Sequence, residues 1–104
     1  MIAVQKVYQL IGMAHRAGQV VSGAEAVEQS LKRGKCRLVI ISEDIAANSR
    51  KQILGVCERR QVSWISVGDR YALGASMGKE YRVAVGINDS GFAGAIERAQ
   101  RETQ

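Results

Sequence analysis

The sequence predicts a single α/β domain over residues 1–104, a three-layer α/β/α sandwich with a four-stranded mixed sheet and about five helices. Three observations lead there. Apolar strand-like runs alternate with segments of helical periodicity along the whole chain. Val39-Ile40-Ile41 shows no polar alternation, as a central strand covered by helices on both faces requires. The chain contains no proline, and no low-complexity or linker-like stretch interrupts it, so its elements are joined tightly. A length of 104 residues is enough for one core and too short for two.

The elements follow in order. Val4, Val7, Leu10, Ile11 and Ala14 recur at helical spacing, which gives a first helix ending near Ala17-Gly18. Val20-Val21 is a short strand. Ser22 and Glu25 have the spacing of a capping box for a second helix, which buries Ala24, Val27 and Leu31 and runs to Arg33. Gly34 supplies a left-handed stop, and Leu38 to Ser42 forms the buried strand. A third helix starts near Ala47 with Ile53, Leu54 and Cys57 inward, and Val62 to Val67 makes the next strand. Asp69 caps a short helix through Leu73 and Met77. Arg82 to Ile87 is the last strand, with Val83, Val85 and Ile87 on one face and Ala84 and Gly86 on the other. Gly86 would let a helix lie close against the sheet. Asp89 or Ser90 opens a closing helix with Phe92, Ala95, Ile96 and Ala99 inward.

The charge pattern points to a polyanion. Net charge is +5, and Lys32, Arg33, Lys35 and Arg37 crowd the turn that feeds the central strand. Solubilising charge at a helix C-terminus is an equally good account of that run alone. Aromatic residues make up only 5% of the chain, which favours backbone and shape recognition over a platform of stacking rings. Cys36 and Cys57 form no CxxC pair and read as buried free thiols of a reducing, cytoplasmic setting. The first six residues carry no secretory pattern, and no apolar run reaches membrane-spanning length.

Chemistry is hard to find. Gly74-Ala75-Ser76-Met77-Gly78-Lys79-Glu80 is one residue short of a phosphate-binding loop, ends in Glu80 and follows a helix rather than a strand. Gly78 reads better as a helix stop. His15 is the sole histidine and lacks partners for a metal or a thiol. Asp44 and Asn48 lie where ligands meet strand ends in open sheets, but they read more naturally as caps of the third helix. No enzymatic constellation, metal site or cofactor is expected.

Taken together, several runs resemble the ribosomal protein family that binds kink-turn RNA, the superfamily of the archaeal protein seven-Ae, the eukaryotic protein thirty-e and Gadd45. They are Ala17-Gly18, Val20 to Gly23, Leu31 to Lys35, Leu38 to Asp44, Leu73 to Lys79, Val83-Ala84-Val85 and Gly91-Phe92-Ala93. The likeness spans nearly the whole chain and is closest to small bacterial members of the YlxQ type. It implies an RNA surface joining the corner at Gly23 to the loop Gly68 to Leu73. The family's corner typically reads Gly-Thr-Asn-Glu with a lysine one turn on. Here the aligned residues are Gly23, Ala24, Glu25 and Ala26, with Gln29 at the lysine, so only the glycine is kept.

On this reading Gly23 admits RNA closely, and Ala24, Glu25 and Gln29 lie at the base-facing corner. Lys32, Arg33, Lys35 and Arg70 neutralise phosphates, and Leu73 packs near a flipped nucleotide. The expected partner is structured RNA, ribosomal RNA above all, with the ribosome or a translation factor as a protein contact. No DNA and no membrane are expected. The rival expectation is a protein-interaction module on the same scaffold, for which the altered corner speaks.

Overall fold

A computed structural model describes residues 2–103 of the chain; Met1 and Gln104, the ends of the expected domain, lie outside the described residues. Nine elements alternate: α1 (Ile2–Arg16), β1 (Val20–Ser22), α2 (Ala24–Lys32), β2 (Leu38–Ile41), α3 (Ala47–Arg60), β3 (Ser63–Ser66), α4 (Arg70–Ala75), β4 (Ala84–Ile87) and α5 (Ser90–Arg101). The strands form one open sheet in the order β1-β4-β2-β3. β4 runs antiparallel to both β1 and β2, whereas β2 and β3 are parallel, so the sheet is mixed.

All four residues of β2 are fully buried, and their alternation divides the core. Leu38 and Ile40 face α1, α4 and α5, where Val7, Ile11, Leu73, Val85 and Ile96 complete one cluster. Val39 and Ile41 face α2 and α3, where they meet Val27, Leu31, Ile53, Val56 and Cys57. The expected three layers are therefore present. A four-residue run without polar alternation makes sense only for a strand covered in this way.

β4 sorts its side chains by size. Val85 and Ile87 fill the α1/α5 face, and the opposite face carries Ala84 and Gly86. A methyl group on Gly86 would lie 3.0 Å from Val21, 3.2 Å from the Cys36 sulfur and 3.7 Å from Val27 of α2. The glycine thus brings α2 and the Cys36 turn down onto the sheet. Val83, expected beside Val85, precedes the strand and packs on the α2/α3 side instead.

The helix ends show which local signals won. Asp69 accepts from the amides of Tyr71 and Ala72, and Asp89 accepts from that of Phe92, as their positions led one to expect. Gly34 turns left-handed at φ 73° and ends α2, and Gly78 does the same after α4 at φ 71°. The capping box at Ser22 does not form. Gly23 is the N-cap of α2, with no side-chain bond, and the Ser22 hydroxyl accepts from Arg82 Nε at 3.0 Å. Asp44 and Asn48 do not cap α3, whose N-cap is Ala46 without a side-chain bond. Within the helices, Val56 is buried where Leu54 was expected, and Ala93 where Ala95 was. Positions two apart lie about 200° apart around a helix, so the buried stripes of α3 and α5 are shifted from the expected ones, although half-buried Leu54 still packs against the α2/α3 cluster.

Both thiols lie in the α2/α3 cluster and are free. Burial, and then the neighbouring Cys36, pushes the Cys57 thiol up to about 11. Substituting Ile40→Ala should cost about 2–5 kcal/mol, because the side chain is fully buried between β4 and β3. Urea unfolding followed by circular dichroism would measure it, and a loss below 1 kcal/mol would contradict this core.

Candidate nucleic-acid interface

One end of the sheet gathers the turns that follow the parallel strands. Ser42 and Val67 leave β2 and β3 there, β4 enters at Ala84, and the chain passes from β1 into α2 through Gly23. Short backbone bonds tie the pieces. The Gly23 amide donates to Ala84 O at 2.9 Å, Ser42 N to Val83 O at 3.0 Å and Glu43 N to Gly68 O at 2.6 Å. The corner at Gly23 and the loop beginning at Gly68 thus share one end of the sheet, at its two opposite edges.

Gly23 holds φ 97° and ψ 145°, a conformation that side chains rarely adopt. Nothing lies within 4 Å of where its Cβ would stand, so the requirement is conformational and the space outside is open. Ser22, Gly23, Ala24, Glu25, Ala26 and Gln29 line an open hollow of about 480 Å³. Glu25 and Gln29 are exposed on its rim, and Ala24 is half-buried against the α2/α3 cluster.

Arg82 joins the two halves of the surface, and nothing in its sequence context marked it. Its amide donates to Arg70 O at 2.9 Å, its Nε to Ser22 Oγ at 3.0 Å and its Nη1 to Tyr81 O at 2.7 Å. The neighbouring rings of Tyr71 and Tyr81 pack edge to face with centroids 6.5 Å apart, and both are more than half exposed. Low aromatic content therefore conceals a local aromatic pair at this end of the sheet. Only the fold, which brings residues ten apart together, discloses it.

Five expected site residues fall differently. Leu73 is 0% exposed inside the α1/α4/α5 cluster, so its side chain offers no surface to a nucleotide. Arg70 is committed inward to the protein: its Nε lies 3.2 Å from Asp44 Oδ2, its Nη2 donates to Asp44 O at 2.8 Å, and its amide donates to Asp44 Oδ1 at 3.0 Å. Asp44 serves as the anchor of this turn. Lys32, Arg33 and Lys35 are exposed, but they sit beyond the far end of α2. Nine residues at 1.5 Å each put Lys32 about 14 Å along the helix from Gly23. The basic turn and the corner are two places.

A second hollow of about 1090 Å³ runs between α3 and β3, where the Arg50 guanidinium lies 5.4 Å from the centroid of the Trp64 ring. None of the expected site residues lines it. Among the described residues, no group of three or more His, Cys, Asp or Glu is placed to hold a metal ion, and no helix is long and apolar enough to cross a membrane.

This architecture defines a class: an α/β/α domain whose glycine corner and strand-end loop make one surface. The chain belongs to the ribosomal protein L7Ae/L30e/S12e/Gadd45 family, whose model matches residues 5–96. It is 37% identical over 89 residues to the RNA-binding protein YlxQ of Bacillus subtilis, covering 86% of this chain and 89% of that one. It is 32% identical over 88 residues to the large ribosomal subunit protein eL8 of Thermoplasma volcanium, covering 84% of this chain and 73% of that one. Among solved structures, a protein of unknown function from Bacillus halodurans superposes with a TM-score of 0.88 at 35% identity, over 90% of this chain and 95% of that one. The 15.5kD RNA binding protein of Giardia lamblia shares the fold, with a TM-score of 0.77 at 20% identity over 98% of this chain and 88% of that one.

Gly23→Ala should destabilise the fold by about 1–3 kcal/mol through backbone strain alone, since no atom blocks the added methyl. Thermal unfolding would report it. Asp44 yields a pH prediction. Partial desolvation raises its carboxyl, but hydrogen bonds and the Arg70 guanidinium outweigh that and hold it below the usual carboxylate range. The tether is therefore fully present above the unfolded-state value and is lost as pH falls through the lowered folded value. The Arg70 amide proton, followed by NMR, should titrate below the ordinary aspartate midpoint, and Asp44→Asn should abolish that titration.

Proposed function

We propose that this chain is a non-enzymatic binder of folded RNA, which it meets at the sheet end carrying Gly23, Arg82 and the Arg70–Tyr71 turn. The observation that supports this most is the linking of the glycine corner to the strand-end loop through Arg82. It occurs in a chain whose relatives bear the names RNA-binding protein and large ribosomal subunit protein. Gly23 and Ala24 leave room for close approach. Glu25 accepts from base amino groups such as cytosine N4, and Gln29 pairs with the adenine edge. Arg82 presents its remaining donors, and Tyr71 and Tyr81 offer ring faces to an unstacked base. Arg70 orders the turn rather than neutralising phosphate. Ribosomal RNA in a cytoplasmic setting is the partner this reading favours, with the ribosome or a translation factor alongside.

Kink-turn preference is expected to be modest. Three of the four corner positions and the following lysine position differ from the family pattern, and carboxylates at Glu25, Glu43, Asp44 and Asp69 offset the local positive charge. Anisotropy titrations against a standard kink-turn and a plain duplex of equal length should show binding to both at low salt, with the kink-turn only moderately favoured. Glu25→Asn with Gln29→Lys should widen the preference. A kink-turn bound far more tightly than the duplex by the unaltered chain would overturn the account of the corner. Absence of any RNA binding at low salt would leave the protein-interaction module as the better reading.

A further inference from the structure

A dense group of exposed cations lies at the end of the sheet opposite the Gly23 corner. Arg16 ends α1, Lys32 and Arg33 close α2, and Lys35 and Arg37 line the turn into β2; all five are exposed. Hydrogen bonds lace their loops into one rigid end. Arg37 N donates to Ile87 O at 2.7 Å, Asn88 N to Gln19 O at 2.8 Å, Ser30 Oγ to Asn88 Oδ1 at 2.8 Å and Lys35 N to Ser30 O at 3.1 Å. The ion pairs among the described residues are Lys6–Glu102 and Arg70–Asp44, so none of these five cations is paired. Two acids stand nearby. Glu28 lies one turn before Lys32, and the Asp89 carboxylate is occupied by the Phe92 amide.

Helix dipoles alone do not account for this concentration. A helix C-terminus favours cations within its last turn, which explains Arg16, Lys32 and Arg33. Lys35 and Arg37 lie past the Gly34 stop and satisfy no helix end. At the opposite end the carboxylates of Glu25, Glu43, Asp44 and Asp69 stand among Arg70 and Arg82, so the charge there is mixed. Burial, and then Asp69 and Glu43, push the Tyr8 hydroxyl up there, and Asp44 engages Arg70. About 14 Å of helix separates the two ends, more than the screening length of about 8 Å at physiological salt, so phosphate at one end is felt little at the other.

We propose that this basic pole is a second RNA site, which takes the sugar–phosphate backbone of a duplex separate from the element held at the Gly23 corner. The chain then bridges two RNA segments. This rests on the reading that the corner binds folded RNA. The run Ser30 to Leu38 contains no aromatic residue, so the pole offers charge without stacking and suits a duplex backbone rather than a single strand.

Two measurements on the full chain decide it, using a Lys32→Gln, Lys35→Gln, Arg33→Gln, Arg37→Gln variant whose melting temperature is first matched to the unaltered protein. In solution, the variant should bind a plain RNA duplex roughly ten-fold or more weakly, with a log–log salt slope shallower by about one for each cation removed. An unchanged affinity and slope would overturn the proposal. In the second measurement, a kink-turn RNA is immobilised, loaded with protein and offered a labelled plain duplex. The unaltered chain should capture the duplex; the variant should stay on the immobilised RNA and capture none. Failure of the unaltered, retained chain to capture duplex would overturn the bridge. So would equal loss of the immobilised RNA by the variant, which would mean one continuous site. If the immobilised RNA retains no unaltered protein, the corner reading fails instead, and the solution titration alone decides whether the pole binds RNA.

Discussion

Burial of β2 on both faces is the constraint from which the remaining architecture follows. Four consecutive apolar residues cannot be covered by one layer, because alternate side chains leave a strand in opposite directions. Helices must therefore lie on both sides, and β4 and β3 must flank the strand to satisfy its backbone. Once β2 is central, the turns after β2 and β3 share one sheet end, and α2 spans the distance between that end and the other. The corner at Gly23 and the cations at Lys32 to Arg37 acquire opposite positions from this single arrangement.

Arg82 carries the next level of organisation. A guanidinium with five donors can hold several acceptors in a fixed plane, which a lysine cannot do. Here it spans the carbonyl of Tyr81 and the hydroxyl of Ser22, while its backbone holds Arg70. Three turns far apart in the chain become one surface through it. The Asp44–Arg70 pair extends the same lacing toward β2. The charges at this end are thus engaged largely in holding the turns, whereas those at the opposite end point outward.

Local signals were readable in the sequence wherever neighbouring residues decide the outcome. The unbroken Val39 to Ile41, the stop at Gly34 and the caps at Asp69 and Asp89 each depend on a few adjacent positions, and each stands as expected. Ser22 failed as a cap because Arg82, sixty residues away, engages its hydroxyl. Asp44 failed as a cap for a similar reason, its partner Arg70 arriving from 26 positions on. Leu73 has the right place in the chain for a ligand contact, yet its apolar character serves the core equally well, and no spacing rule tells the two apart. The separation of Lys32 from Gly23 was hidden for a different reason. Nearness in sequence is not nearness in space once a helix intervenes.

The distribution of sulfur between the two helical layers has its own consequence. Cys36 and Cys57 both belong to the α2/α3 side of the sheet, and the α1/α4/α5 side contains neither. Native-state fluctuations that lift α2 or α3 from the sheet expose a thiol, while those that loosen α1 or α5 leave both sulfurs sheltered. Thiol labelling kinetics in this chain therefore distinguish which layer opens. A single small reagent can separate breathing of the helices that follow the glycine corner from breathing of the face behind it.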